Sequence, residues 1–149
     1  MKKYSRPRKL MLNDSQKRRV SVTLSSFEED LHNMERLLES ADYVGVVHEM
    51  ENDIPAPARK ALIDTIDGIK NRIQTLVKRF DIERDRRSLR RQLFARLIYN
   101  WTTLEEIKTK HLRGYGAVAQ VLKQTLDPEL DAIIGLIREM ERLLQTAES

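Results

Sequence analysis

The sequence predicts an all-α fold, an up-down helical bundle of about four long helices preceded by a basic N-terminal arm. Only five glycines and four prolines interrupt the 149 residues, which favours long helices because strands and their turns consume both residue types. Aromatic residues make up 5% of the chain, too few for a typical β-sandwich. Long stretches also carry apolar residues at alternating steps of three and four, the spacing that keeps one stripe on a helix.

The basic arm is predicted over residues 1–19, where eight bases face the single acid Asp14 and no apolar period occurs. Its net charge of +7 exceeds the +4 of the whole chain. Residues 20–149 are predicted to form a single helical-bundle domain, since a chain of this length suits one hydrophobic core.

The segment after the arm has the pattern of a short strand at residues 20–24. Val20, Val22 and Leu24 alternate there with polar residues, which is the minimal strand period. Ser26, followed three residues later by Glu29, then has the spacing of a capping box. The sequence therefore predicts that the first helix begins at Ser26.

This combination of a base-flanked strand and a capped helix is similar to the first half of ribbon-helix-helix repressors. In that family two chains pair their strands into a ribbon whose outward side chains read the DNA major groove. The resemblance implies that Arg19, Ser21 and Thr23 would face the bases. It covers about 20 of the 149 residues, and the chain after Glu39 lacks the short turn and capped second helix of the family.

Three further helices follow from the spacing of apolar residues. Pro55 and Pro57 mark a break, after which a second stripe runs from Leu62 to Phe80. A third helix is predicted through residues 89–111, ended by the glycines of residues 113–116. The last helix is predicted to begin with Asp127 as its N-cap and with proline at its first position.

A second basic cluster covers residues 78–96, where eight bases face three acids. If this segment is helical, Arg84, Arg87 and Arg91 lie three and four residues apart on one stripe, flanked by Arg90. The planar, always charged guanidinium suits phosphate and carboxylate groups. The residues predicted to bind an anionic partner are Lys17, Arg18, Arg19, Arg84, Arg87, Arg90 and Arg91.

Enzyme chemistry finds no support in the sequence. The chain has no cysteine and no recognisable nucleophile, phosphate-loop or zinc-protease motif. Glu29 and His32 have the spacing of a di-iron ligand pair, but no second such pair occurs. We therefore predict no catalytic, cofactor-binding or metal-ligating residue. With no secretory signal and no apolar run of membrane-spanning length, the expectation is a cytoplasmic protein without membrane contact.

The function predicted from these features is that of a non-enzymatic interaction or scaffold protein. Apolar arcs wider than one bundle needs favour a homo-oligomer. The arm and the arginine cluster would hold an anionic partner, either an acidic protein surface or a nucleic-acid backbone. The alternative is a ribbon-helix-helix-like, sequence-specific DNA-binding regulator that uses residues 19–24.

Overall fold

A computed structural model describes residues 11–147 and confirms the predicted all-α class, with 74% helix and 3% strand. The elements in chain order are α1 (Asp14–Glu39), β1 (Tyr43–Val44), β2 (Glu49–Met50), α2 (Ala56–Phe80), α3 (Leu89–Glu105), α4 (Thr109–Leu112), a 3-10 turn (Arg113–Tyr115) and α5 (Gln120–Thr146). The chain divides into two compact units, Met1–Asp85 and Arg86–Ser149, and each contains one pair of long helices. A single bundle domain over residues 20–149 stays a prediction.

The strand predicted at residues 20–24 is not formed, because α1 already begins at Asp14 and runs through this segment. A capping box at Asn13 and Gln16 starts the helix: each residue's side-chain oxygen accepts a hydrogen bond from the backbone N–H of the other, at 2.8 and 3.0 Å. Ser26, the predicted N-cap, lies inside α1. Residues 14–19 of the predicted arm are therefore the first turns of this helix, whereas residues 1–10 lie outside the described residues.

The first helical pair consists of α1 and α2, packed antiparallel. Lys70 Nζ on α2 lies 2.7 Å from Glu35 Oε2 on α1. At the other end, the Ser21 hydroxyl of α1 donates to the carbonyl oxygen of Glu83, just past α2, at 3.0 Å. Among the residues of this unit that the structure describes, the buried apolar ones are Leu31, Ile66 and Ile82. The core is thus a narrow line along the contact between the two helices.

A short antiparallel β-hairpin, β1 and β2, joins the helices of the first pair. Its turn is closed by the Gly45 N–H, which donates to the His48 carbonyl oxygen at 2.8 Å. Glycine fits there because a Cβ atom would lie only 3.0 Å from that same oxygen. Helix α2 then begins after Pro55, its N-cap, with Pro57 in the first turn, where a helix has no use for the missing N–H.

The second helical pair consists of α3 and α5, which are also antiparallel. Arg90 Nη2, near the start of α3, donates to the carbonyl oxygen of Ala147, which follows the end of α5, at 2.6 Å. Farther along α3, the Trp101 ring meets the guanidinium of Arg138 on α5. The buried apolar residues of this unit are Leu97, Leu130 and Ile134.

Two boundaries of the second pair differ from the predictions. Helix α3 ends at Glu105 instead of continuing to residue 111, and the short helix α4 follows it. Helix α5 begins at Gln120 and passes through Pro128, which was predicted to open it. The reason lies in Asp127, whose carboxylate accepts hydrogen bonds from Thr109 of α4 instead of capping its own helix. The helix tolerates the loss of the one backbone hydrogen bond that a proline cannot make.

Candidate functional site

Basic side chains gather at the end of the first pair where α1 begins and α2 ends. We call this surface the basic end, and it comprises Lys17, Arg18, Arg19, Lys78, Arg79 and Arg84. The antiparallel packing brings these segments together, because Ser21 on α1 contacts Glu83 beyond α2. Basic residues from these two segments, which are about 62 residues apart in the sequence, therefore lie on one surface.

The field at the basic end remains positive despite nearby acids. Its six bases face four acids, counted over residues 11–19 and 78–85, which leaves a net charge of +2. Lys17 Nζ lies 3.9 Å from Asp81 Oδ2, and because the Asp81 side chain is 99% exposed, water screens this pair strongly. The helix dipoles do not change this balance, because the positive N-terminus of α1 and the negative C-terminus of α2 lie at the same end. The surface therefore favours carboxylate or phosphate groups.

The predicted arginine stripe of Arg84, Arg87 and Arg91 is wrong. Residues 82–88 are not helical, so Arg84 and Arg87 lie in the nonhelical connection between α2 and α3. Helix α2 stops because Asp81 takes the left-handed conformation, with a φ of 53°. Helix α3 starts only after Ser88, whose hydroxyl oxygen accepts from the backbone N–H of Arg91 at 3.3 Å.

The seven predicted residues divide between the two units. Lys17, Arg18, Arg19 and Arg84 belong to the first unit, where the basic end unites them. Arg87, Arg90 and Arg91 belong to the second unit, and the Arg90 guanidinium donates a hydrogen bond to the Ala147 carbonyl oxygen just past α5.

Sequence reasoning missed Lys78 and Arg79 as members of the same surface. Both lie in the last turn of α2, where cations interact favourably with the helix dipole. The signal that finds them is the break at residues 53–57, because a short connection there implies an antiparallel return of α2 toward the start of α1.

The opposite end of the first pair is acidic. We call residues 39–53 the acidic tip; they include the β-hairpin, carry five acids and contain no lysine or arginine. Those acids are Glu39, Asp42, Glu49, Glu51 and Asp53. Val46 and Val47 in the hairpin turn are 103% and 95% exposed. The two ends of the first helical pair therefore carry opposite net charges, and the acidic tip also exposes two apolar side chains in its hairpin turn.

A polar cluster ties α4 to α5 in the second unit. Asp127 Oδ1 accepts from the Thr109 N–H at 2.9 Å, and Asp127 Oδ2 accepts from the Thr109 hydroxyl at 2.8 Å. These bonds, the backbone one above all, hold the pKa of the Asp127 carboxyl below its ordinary value. Beside them, hydrogen bonds first to Asp131 and then to Glu105 raise the pKa of Lys108. Because Thr109 is only 2% exposed, the cluster's evident role is structural.

We expect Asp127→Asn to lower stability at neutral pH by an amount that shrinks in acid. A carboxyl whose folded-state pKa is depressed below 3.8 stabilises the fold fully above its unfolded-state pKa, and this contribution is lost as the pH falls through the folded-state pKa. Urea unfolding of both proteins from about pH 6 down to about pH 2 measures the difference. A difference independent of pH would contradict the assignment of this carboxylate as the charged acceptor.

The one tryptophan of the chain also makes contacts within the protein that indicate a structural role. The Arg138 guanidinium carbon lies 4.2 Å from the centre of the Trp101 ring, a close cation–π contact. Arg138 Nη1 in turn lies 3.4 Å from Glu141 Oε2, and Glu141 is only 8% exposed. Since the arginine covers a face of the indole, that face is closed to a stacked base.

The chain matches no protein-family model, no curated protein and no solved structure. Within residues 11–147, acidic and histidine side chains form no cluster of three that could ligate a metal ion. None of the helices in that same range has the length and apolar character needed to cross a membrane.

Proposed function

We propose that the protein is a non-enzymatic helical interaction protein that self-associates and holds an anionic partner at its basic end. The observation that carries this proposal is the exposure of large apolar side chains along the long helices of both units. Those at least 40% exposed include Phe27, Met34, Leu37, Leu62, Ile98, Ile133, Leu136, Met140 and Leu143.

Two amphipathic helices in contact bury only the line between them, and the apolar surface on either side needs a further layer. Each leucine, phenylalanine or methionine side chain that becomes fully buried contributes about 1.5–3 kcal/mol. Several such residues on one face therefore favour association strongly, and contiguous apolar surface of this kind is typical of interaction sites. Association of copies supplies the missing layer.

The anionic partner is supported by the basic end. Arg18 and Arg19 are exposed there, and Arg84 joins them from the segment after α2. Carboxylates of an acidic protein surface and phosphates of a nucleic-acid backbone both suit these groups. The alternative of base-specific DNA reading by residues 19–24 requires a strand, and this segment is part of α1. No observation favours it.

We expect the double change Arg18→Ala, Arg19→Ala to weaken binding of a mixed-sequence DNA duplex at least ~10-fold at low salt, and to reduce the slope of log affinity against log salt by about 1.8. Fluorescence anisotropy at several salt concentrations measures both quantities. Poly-glutamate, used as a competitor, reports whether carboxylates occupy the same surface.

The matched control is Lys110→Ala, Arg113→Ala, which removes two exposed bases from the second unit and the same total charge. Equal weakening by both double variants would mean that net charge alone drives binding. The basic end would then lose its role as the binding site.

A further inference from the structure

The first helical pair has an apolar side next to the line where its helices touch. On each helix, three apolar residues recur every seven positions and therefore share a face. We call this surface the apolar side, and it consists of Val20, Phe27 and Met34 on α1 with Leu62, Ile69 and Leu76 on α2. Phe27, Met34 and Leu62 are 40–46% exposed.

Both rows lie on the same side of the pair. Glu35 and Lys70 mark the contact between the helices, with 2.7 Å between their charged atoms. Met34 directly precedes Glu35 and Ile69 directly precedes Lys70, so each lies about 100° from the contact in the same rotational sense. Because the helices run in opposite directions, equal rotation about each axis brings both rows to one side.

The charges of the first pair are separated along this apolar side. The acidic tip carries −5 and the basic end +2, and residues 20–38 of α1 lie between them. This part of the helix spans about 30 Å, roughly three times the Debye length of about 10 Å at ordinary ionic strength. The two ends therefore cannot neutralise each other within one copy.

We propose that a second copy of this chain covers the apolar side and packs antiparallel, so that the acidic tip of each copy lies on the basic end of the other. This inference rests on the proposed self-association, specifies its geometry, and names the acidic tip of the second copy as the anionic partner of the basic end, with which nucleic acid would compete. An antiparallel, two-fold arrangement brings opposite charges together at both ends and closes on itself. A parallel arrangement would place five acids beside five acids.

The size of the surface suits a stable dimer. Two adjacent helices about 39 Å long and about 10 Å wide present roughly 800 Å² per copy, which is the standard size for a specific protein interface. The resulting assembly has four helices around one apolar core, two from each copy. It would bury Phe27, Met34 and Leu62, which the single chain leaves exposed.

Charge reversal in the full-length chain tests the pairing of the ends. We expect Glu49→Lys, Glu51→Lys and, separately, Arg18→Glu, Arg19→Glu each to raise the dimer Kd at least ~10-fold at about 0.1 M salt. All four changes in one chain leave −1 at the acidic tip and −2 at the basic end, whereas Arg18→Glu, Arg19→Glu alone leaves −5 facing −2. Glu49→Lys, Glu51→Lys should therefore lower the dimer Kd at least ~3-fold in the Arg18→Glu, Arg19→Glu background, although the same two changes raise it in the wild type. Sedimentation equilibrium measures the Kd, and circular dichroism checks the helix content of every variant.

A matched control reverses two charges elsewhere. Lys110→Glu, Arg113→Glu changes exposed bases in the second unit and should leave the dimer Kd within about 3-fold of the wild type. If this variant weakens the dimer as much as the others, net charge rather than end-to-end pairing governs association.

Spin-label distances test the orientation directly. The chain contains no cysteine, so Val47→Cys places one label on each acidic tip. We expect a label-to-label distance of about 40 Å or more, because antiparallel tips lie at opposite ends of the dimer. A distance below about 20 Å, or a four-change variant that dimerises no more tightly than the Arg18→Glu, Arg19→Glu variant, overturns the antiparallel pairing while self-association stands. A mass of 17.5 kDa at every concentration and salt level overturns both.

Discussion

Leu31→Ala is expected to destabilise the first helical pair by about 2–5 kcal/mol. Leu31 is 2% exposed and lies in the middle of α1, on the line where α1 meets α2. The truncation removes apolar contacts and leaves a cavity that two packed helices can close only partly. Because only Ile66 and Ile82 are buried with it among the apolar residues at positions 11–85, few other contacts offset the loss.

Thermal unfolding followed by far-ultraviolet circular dichroism measures this effect, and we expect a decrease in Tm of about 10 °C or more. Leu37→Ala is the matched control, since it makes the same chemical change on the same helix at a residue that is 54% exposed. At a concentration low enough to keep the chain monomeric, its expected cost is below about 1 kcal/mol. Equal losses for the two variants would show that the contact between α1 and α2 is not centred on Leu31.

Burial at Leu31 and Ile66 illustrates what the sequence predicts well. Both belong to long rows of apolar residues at steps of three and four, and these rows predict the helices and their inward faces. The start of α2 after Pro55 was predictable too, because proline restricts the preceding residue and fits the first turn of a helix. Long periodic segments and strong helix breakers act through local interactions, so the structure that they favour is also the one found in the folded chain.

The start of α1 was mispredicted because two periods fit the same few residues. Val20 and Leu24 satisfy the alternation of a strand, and with Phe27 they also continue a helical stripe. Capping signals were ambiguous as well: Asn13 with Gln16 and Ser26 with Glu29 have the same spacing, and the first pair is the one used. A continuous helix avoids the cost of nucleating a second one.

The candidate site was predictable in its charge and not in its geometry. The bases at residues 17–19 are visible in the sequence, and so is the cluster around residue 84. Their meeting depends on the antiparallel packing of α1 and α2, which the basic residues themselves do not indicate and for which the sequence signal is the break at residues 53–57. The nonhelical segment 82–88 depends on the backbone conformation at Asp81, a residue type only mildly suited to the left-handed region.

Val22→Pro is expected to cost about 3 kcal/mol or more and to lower the helix content measurably. Val22 lies inside α1, so proline removes a backbone hydrogen bond and clashes with the preceding turn. The Val22 side chain is 46% exposed, so the loss comes from the backbone rather than from a cavity. If residues 20–24 were instead a strand ahead of a helix beginning at Ser26, the same proline would leave the helix content nearly unchanged.

Thr23→Ala provides a control, because its effect on stability has opposite signs in a helix and in a strand at residues 20–24. Thr23 is exposed in α1, and alanine has the higher helix propensity by up to ~0.7 kcal/mol. In a strand the same change is unfavourable, because threonine is the better strand residue by up to ~1 kcal/mol. We therefore expect a small increase in Tm for Thr23→Ala beside the large decrease for Val22→Pro. A decrease for both would contradict a helix through this segment.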